Sequence, residues 1–273
     1  MRATLGRILI YALLLGGAFI ALVPMIWMIS ASLMPTGEAT TFPPRLFPST
    51  VTFEHYRAVF TGLNMRRYLL NSTIIAFTVT AISLFINSMA GYAFAKLRFR
   101  GRDRLFRFLG TGLVIPVQVA MLPLFLLMKQ LGLINTYWGV IIPSLASIFG
   151  IFLIRQYAVA IPDDLLDAAR VDGASEFRIY RSVVLPVITP ILATLAIWTF
   201  LTTWNDFMWP LIVLSDDAKY TLPVALANLS GEHVQDTELM MAGSVMTVVP
   251  VLLVFLALQR YYIAGITGGS VKG

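Results

Sequence analysis

The stretch DAARVDGASEFRIYRSVVLP, residues 167–186, is a polar island between two long apolar parts of the chain. Charged side chains and a glycine break up this stretch, whereas the uncharged runs before and after it approach the length that crosses a membrane. An island of this kind predicts a connection that its apolar neighbours hold at a membrane surface.

The composition of the whole chain is that of a membrane protein. Of its 273 residues, 58% are hydrophobic and 12% are charged, and the mean hydropathy is +0.80. Soluble domains carry about 25% charged residues. The sequence contains no cysteine, so disulfides, thiolate metal sites and cysteine nucleophiles are excluded.

Uncharged runs of sufficient length occur six times. The bilayer core is about 30 Å thick and needs roughly 20 residues of helix. The predicted spans are residues 8–30, 69–95, 108–128, 137–154, 183–214 and 239–258, and Asn205-Asp206 interrupt the fifth near its far end. The polar connections are too short for a second domain, so we expect an all-α membrane protein with one transmembrane domain over residues 1–273.

Lys and Arg residues are concentrated on one side of these spans. That side holds Arg2, Arg7, Lys96, Arg98, Arg100, Arg102, Arg104, Arg107, Arg155, Arg170, Arg178, Arg181, Arg260 and Lys272. By the positive-inside rule, both termini and the connection over residues 155–186 are cytoplasmic. The same rule accounts for the net charge of +6, so we expect no nucleic-acid partner.

Local signals predict two short helices within the cytoplasmic connection. Pro162 suits the first position of a helix over residues 162–170, and Gly173 permits a turn before a second helix over residues 174–182. On the first helix, Leu165, Ala168 and Ala169 recur at i, i+3 and i+4 and share a face.

Two interpretations of this connection are open from the residues alone. It could lie on lipid headgroups as an amphipathic segment, or it could insert into a groove of another protein. Lipid-surface helices are rich in Lys and Arg, whereas acidic residues outnumber basic ones over residues 161–186. This balance favours the protein groove.

The island resembles the cytoplasmic EAA loop of permease subunits in binding-protein-dependent ABC importers. Asp167, Ala168 and Ala169 match the E-A-A triad, Gly173 matches the glycine, and Leu185-Pro186 match the end of the motif. The triad begins with Asp where the family usually has Glu. The segments AGYAFAKLRFRGRD, PLFLLMKQLGLINTYWGVIIP, TWNDFMWPL and GGSVKG are similar to the shorter permease of maltose-type sugar importers.

This resemblance implies a type I ABC importer with a carbohydrate substrate in a bacterial or archaeal inner membrane. The implied partners are a second permease in a heterodimer, two ATPase subunits, an extracytoplasmic sugar-binding protein and membrane lipid. The chain has no G-x-x-x-x-G-K-[ST] phosphate loop. We therefore expect no cofactor in this chain, no catalytic residue, and ATP and Mg on the ATPase.

The resemblance also assigns roles to residues of the island. Leu165, Ala168 and Ala169 would pack into a groove of the ATPase, Asp167 would pair with a basic residue there, and Gly173 would set the angle between the helices. The predicted ATPase-coupling residues are Leu165, Asp167, Ala168, Ala169, Asp172, Gly173, Ala174, Phe177, Leu185 and Pro186.

The Gly-rich end of the chain has two interpretations. GGSVKG could be a frayed tail, or, as the resemblance implies, it could reach the ATPase through Gly269 and Lys272.

Four polar residues of the spans are candidates for lining a translocation path: Asn87, Gln118, Asn205 and Asp206. Asn87 and Gln118 could instead join helices through hydrogen bonds. Asn205 and Asp206 lie about 33 Å along a helix that begins at Val183, near the outer interface. They either end that helix or line the path.

Two other functions compete with the importer subunit. An ion-coupled secondary transporter would carry acids or histidines at mid-membrane, and the spans offer only the peripheral Asp206. An intramembrane enzyme would need a carboxylate pair, a serine with a basic partner or a histidine metal site. The two histidines, His55 and His233, fall in external connections, where we expect them to be solvated, so no metal site is predicted.

Overall fold

The computed structural model describes residues 2–62, 64–232 and 236–268. Within these ranges the regular structure is helical and contains no strand, which confirms the predicted all-α fold. The helices are α1 (Arg2–Ala31), α2 (Glu54–Thr61), α3 (Met65–Lys96), α4 (Arg102–Thr111), α5 (Val117–Gln130), α6 (Tyr137–Ile141), α7 (Ile148–Val159), α8 (Asp163–Val171), α9 (Glu176–Ile179), α10 (Leu185–Trp204), α11 (Met208–Val213), α12 (Leu222–Glu232) and α13 (Thr237–Gly268).

Five of the predicted spans are long apolar helical segments. They are Gly6–Ala31, Met65–Lys96, Tyr137–Val159, Glu176–Trp204 and Thr237–Ala257. Each covers most of a predicted span, but the segment that begins at Glu176 starts seven residues before the predicted residue 183 and ends at Trp204 rather than 214.

The third predicted span is bent. The chain bends by 107° between the helical segments Arg102–Val114 and Val117–Gln130. Together these two segments make the sixth candidate span. The break lies at Ile115-Pro116, where both residues are extended, with ψ of 120° and 133°. A proline disfavours helical backbone at the residue before it, so the sequence Ile-Pro breaks the helix here.

The chain divides into two compact units, one formed by Met1–Leu69 with Leu222–Pro250 and the other by Leu70–Thr221 with Val251–Gly273. In the first unit, the most apolar part of α1 contains no buried residue. The segment after α1 folds around Glu38, which accepts hydrogen bonds from Ser49 N and Arg45 Nη1, both 3.0 Å. Burial opposes ionisation of Glu38, but these bonds outweigh it and hold its pKa below the ordinary value.

His55 belongs to the interior of the first unit. Its side chain is buried, and Nε2 lies 2.9 Å from the carbonyl oxygen of Met34. The prediction that His55 is solvated is therefore wrong, because α2 packs this ring against the segment that follows α1. His233 lies outside the described residues.

The second unit is built around α3, α7, α8 and α10. Tyr92, Ile154, Leu166, Ile188 and Leu195 are buried members of its main apolar cluster. A Cβ added to Gly91 would lie 2.6 Å from Ile154 Cγ2, so only glycine allows α3 and α7 to come this close. This close packing fixes the frame on which α8 is mounted.

Candidate functional site

The connection over residues 155–186 forms the two predicted helical segments, α8 and α9. Pro162 is extended and precedes α8, whose first turn carries Asp163 and Asp164. Gly173 has a φ of +76°, and a Cβ there would meet no described atom within 4 Å. The backbone conformation, rather than lack of space, therefore requires glycine at this position.

The buried apolar face of α8 is rotated about the helix axis relative to the predicted face. Leu166 is 1% exposed and Ala169 packs against the same cluster, whereas Leu165 is 51% exposed and Val171 is 88% exposed. Helical residues advance by about 100°, so Ala169 lies roughly 60° from the buried Leu166 and Ala168 about 160° from it. Ala168 and Phe177 are exposed as well.

We call the exposed set Leu165, Ala168, Val171 and Phe177 the coupling face, after the role predicted for three of its members. Val171 was not among the predicted residues, because the predicted helix ended at residue 170, whereas α8 runs to Val171. The other predicted coupling residues divide in two groups. Asp167, Asp172, Gly173 and Pro186 are exposed, whereas Ala174 and Leu185 pack, like Ala169, against the apolar cluster of the unit.

Arg170 joins the two helical segments. Its Nη1 donates to Asp167 Oδ1 at 2.6 Å, and its Nε donates to Glu176 Oε1 at 2.8 Å. Tyr92 of α3 donates its hydroxyl to the other oxygen of Glu176 at 2.8 Å. The hydrogen bonds to Glu176 and Asp167 raise the pKa of Arg170 above its ordinary value. Asp167 is thus already paired within the chain, although its side chain is 65% exposed.

Lys96 ties the start of α8 to the ends of two other helices. At the C-terminus of α3, its Nζ donates to the carbonyl oxygens of Val159 and Ile161 at 3.2 and 2.6 Å and to Asp163 Oδ1 at 2.7 Å. The Lys96 ammonium lowers the pKa of the Asp163 carboxyl. No signal in the sequence linked these positions, which are far apart along the chain.

The second segment is continuous with a span. From Ile179 the backbone passes through a π-helical turn, Tyr180–Val184, directly into α10. This wider turn lies just before Pro186, whose missing N–H removes one α-helical hydrogen bond. The buried hydroxyl of Tyr180 lies 2.7 Å from Ser88 Oγ of α3. The second predicted helix of the connection is therefore an extension of the span and not a separate element.

The four candidate path residues occupy different environments. Asn87 is fully buried, donates to Ser83 Oγ at 2.7 Å and accepts from Ser147 N at 3.0 Å, so it joins helices. Asn205 donates to the carbonyl oxygen of Leu201 at 2.8 Å and closes the end of α10. Gln118 is exposed on α5. Asp206 lines a cavity.

Gly269 and Lys272, the predicted C-terminal contacts, lie outside the described residues.

The description of one protein family fits this arrangement. A model of the family "binding-protein-dependent transport system inner membrane component" matches residues 87–267, which include all of α8 and α9. The chain belongs to this family. This family member is a multi-pass inner-membrane transport component and not an enzyme, as predicted.

Curated relatives of this family member match along at least nine-tenths of their length. The arabinooligosaccharides transport system permease protein AraQ of Halalkalibacterium halodurans is 40% identical over 100% of both chains. The lactose transport system permease protein LacG of Rhizobium radiobacter is 34% identical over 100% of this chain and 98% of its own. The trehalose transport system permease protein SugB of Mycobacterium tuberculosis is 36% identical over 93% of this chain.

A solved structure has the same fold. It is a bacterial ABC transporter involved in the import of the acidic polysaccharide alginate; one of its chains is 27% identical, with a TM-score of 0.84 over 96% of this chain and 98% of that chain. The predicted fold of an ABC importer permease is confirmed, and the ion-coupled secondary transporter is set aside.

Proposed function

We propose that this family member is one permease of an ATP-driven carbohydrate importer. It would form half of the translocation path with a second permease and receive substrate from an extracytoplasmic binding protein. Two separate ATPase subunits, which carry ATP and Mg, would drive it from the cytoplasm, where both termini lie. The substrates named for its relatives, arabinooligosaccharides, lactose and trehalose, support a carbohydrate.

The coupling face is the observation that carries the ATPase contact. Val171 and Phe177 are large apolar side chains that expose more than half of their surface next to a helix with Asp163 and Asp164 in its first turn. Anionic lipid headgroups would repel these carboxylates, whereas a protein groove with apolar walls and basic edges would accept both.

The hydrogen bonds behind this face favour transmission of force. Arg170 and Lys96 connect α8 to α3, α7 and α9 through paired side chains and carbonyl groups. A docked partner would therefore push on the helical frame of the second unit instead of bending a loose loop.

The test is the substitution Val171→Lys in the tagged chain, purified from its native membrane in mild detergent. Lysine at the C-terminal end of α8 suits the helix dipole, so α8 itself stays intact. A buried charge at an interface anchor lowers the recovery of the ATPase by at least about tenfold. The second permease is still recovered.

Leu131→Lys is the matched control, because Leu131 is 59% exposed and also ends a helix, α5. This variant retains the ATPase. If Val171→Lys retained it as fully as the control, the coupling role of this face would be refuted. If wild-type chain brought down no ATPase at all, the importer assignment itself would fail.

A further inference from the structure

The second unit has an open cavity where α3 ends and α4 begins. Its volume is about 920 Å³. Small-molecule sites in proteins usually have volumes of about 300–1,000 Å³. Five of the residues that line the cavity are arginines and one is an aspartate, so five positive charges face one negative charge and leave a net charge of +4. The cavity therefore has the size of a ligand site and a strongly positive wall. The arginines are Arg98, Arg100, Arg102, Arg104 and Arg107.

Two of these arginines have no counter-charge in the described part of the chain. Arg102 Nε donates to Asp103 Oδ1 at 2.9 Å, and Arg107 Nε donates to the carbonyl oxygen of Asp103 at 3.3 Å. Within the described residues, no side-chain hydrogen bond or ion pair holds Arg100 or Arg104, and both are exposed. A guanidinium keeps its charge, and its fork of N–H groups fits the oxygens of a phosphate. The cavity thus presents unpaired donors that suit a phosphate group.

The loop between α3 and α4 is held in shape from behind. The ring centroid of Phe99 lies 5.8 Å from that of Phe94, which in turn lies 5.5 Å from that of Phe106. Arg102 Nη1 donates to the carbonyl oxygen of Leu97 at 3.2 Å and closes the loop. The backbone that carries the arginines is therefore formed before any ligand arrives, and this lowers the entropic cost of binding.

An exposed apolar stripe continues from the arginines along the bent candidate span. Phe108 is 72% exposed. It follows Arg104 by four residues, so it lies on the same side of α4, about 6 Å further along the helix. Leu105 and Val114 are 47% and 83% exposed, and all four residues belong to the first half of the span, Arg102–Val114. In a chain that crosses a membrane, this stripe suits the acyl chain of a lipid.

The charge and the stripe together select among ligand classes. A free phosphate ion or an acidic protein surface would leave the apolar stripe unused. Phosphatidylcholine and phosphatidylethanolamine have a phosphodiester and acyl chains, but their ammonium groups would be repelled by the positive wall. Phosphatidylglycerol has the same phosphodiester without a cation. Basic pockets at the ends of membrane spans are known to bind anionic headgroups of this kind.

We propose that this cavity binds the headgroup of one anionic phospholipid of the phosphatidylglycerol type. Arg100 and Arg104 bind the phosphodiester, and Phe108 contacts an acyl chain. The site requires only that the chain spans a membrane. It is therefore independent of the proposed sugar substrate and of the ATPase contact.

The test uses the tagged chain with the subunits that it retains, purified from its native membrane in mild detergent and freed of lipid. Native mass spectrometry measures the binding of added palmitoyl-oleoyl phosphatidylglycerol or phosphatidylcholine. Wild type binds one phosphatidylglycerol at least about tenfold more tightly than phosphatidylcholine, because only the first lacks the repelled ammonium group.

The double variant Arg100→Gln/Arg104→Gln lowers the affinity for phosphatidylglycerol by at least about tenfold, since two basic side chains at an anionic surface are lost. Its melting temperature stays that of wild type, because glutamine is as good a helix former as arginine and neither arginine holds an internal contact.

Arg66→Gln/Arg67→Gln is the matched control. Both arginines are exposed at the start of α3, at the opposite end of that helix from the cavity. This variant removes the same two charges and retains the affinity for phosphatidylglycerol. Equal losses in the two double variants would show a general attraction between charges and would overturn the site.

Two further measurements separate a lipid site from its alternatives. Phe108→Ala lowers the affinity for phosphatidylglycerol about threefold, because apolar contact with the acyl chain is lost. An unchanged affinity in this variant, or displacement of the lipid by inorganic phosphate at equal concentration, would identify a site for a free anion instead. If Arg100→Gln/Arg104→Gln bound the lipid as wild type does but lost the ATPase subunits, the cluster would be a protein contact and the lipid site would be refuted.

Discussion

Gly173 is the residue at which sequence and structure agree most directly. The sequence placed a turn there, and the backbone has a φ of +76° in open space. Left-handed backbone costs a residue with a Cβ about 1–2 kcal/mol. Because nothing else crowds the position, this strain is the whole expected effect of a small substitution.

Gly173→Ala is therefore expected to change the angle between α8 and α9 and to lower transport by the reconstituted complex several-fold, with normal protein levels. Gly101 provides the matched control, since its φ is +87° and its Cβ position is equally open. Gly101→Ala introduces the same backbone strain at a position outside α8 and α9. Transport rates that fall equally in both variants would argue against a special role of Gly173.

Asn87 and Asp206 show what single residues conceal in a sequence. Both are polar residues within apolar sequence. The amide of Asn87 forms hydrogen bonds with two neighbours, whereas Asp206 lines a cavity. Trp198 and Phe149 were not predicted as a pair because their contact joins α10 to α7 across the sequence. These roles depend on which residues, distant in the sequence, each side chain contacts. The periodicity of apolar residues does not reveal those contacts.

At the scale of elements, the apolar runs predicted which segments are helices but not how the helices end. Pro116 accounts for the break in the third predicted span, but the 107° bend depends on the packing of both halves. The second coupling helix was expected to end near residue 182, and it runs on through Tyr180–Val184 into α10. A π-helical turn has no clear sequence signature, because it adds one residue to a helix that is otherwise regular.

The contact of α3 with α7 yields a prediction at this scale. Gly91→Ala would place a Cβ 2.6 Å from Ile154 Cγ2 and 3.0 Å from Arg155 N, so the two helices must move apart. Overpacking of this kind costs about 1–3 kcal/mol. The melting temperature of the purified protein in detergent should fall by several degrees.

Gly110→Ala is the control for this loss, because Gly110 lies within α4 and its Cβ would meet no described atom within 4 Å. Alanine is the better helix former by about 1 kcal/mol, so this variant is expected to be as stable as wild type or more so. A Gly91→Ala protein as stable as Gly110→Ala would show that α3 and α7 are not in close contact.

For the whole molecule, the absence of cysteine allows the proposed orientation to be tested directly. In spheroplasts, a membrane-impermeant maleimide should label Leu46→Cys, a 62% exposed position after α1. Arg100→Cys, exposed between α3 and α4, should react only after permeabilisation. Unmodified chain supplies the background. Labelling of Arg100→Cys in sealed spheroplasts would reverse the orientation and move the coupling face to the wrong side.

The continuous helical segment from Glu176 to Trp204 can also move as one rigid rod. Its 29 residues would extend for roughly 43 Å, and Trp198 lies about 33 Å from Glu176 along the helix. Pivoting the rod by about 10° around Glu176 would sweep Trp198 sideways by roughly 6 Å, by simple geometry on that length. A small rotation imposed on the helix at its Glu176 end would thus become a displacement of several ångströms at Trp198, without any bending of the helix between them.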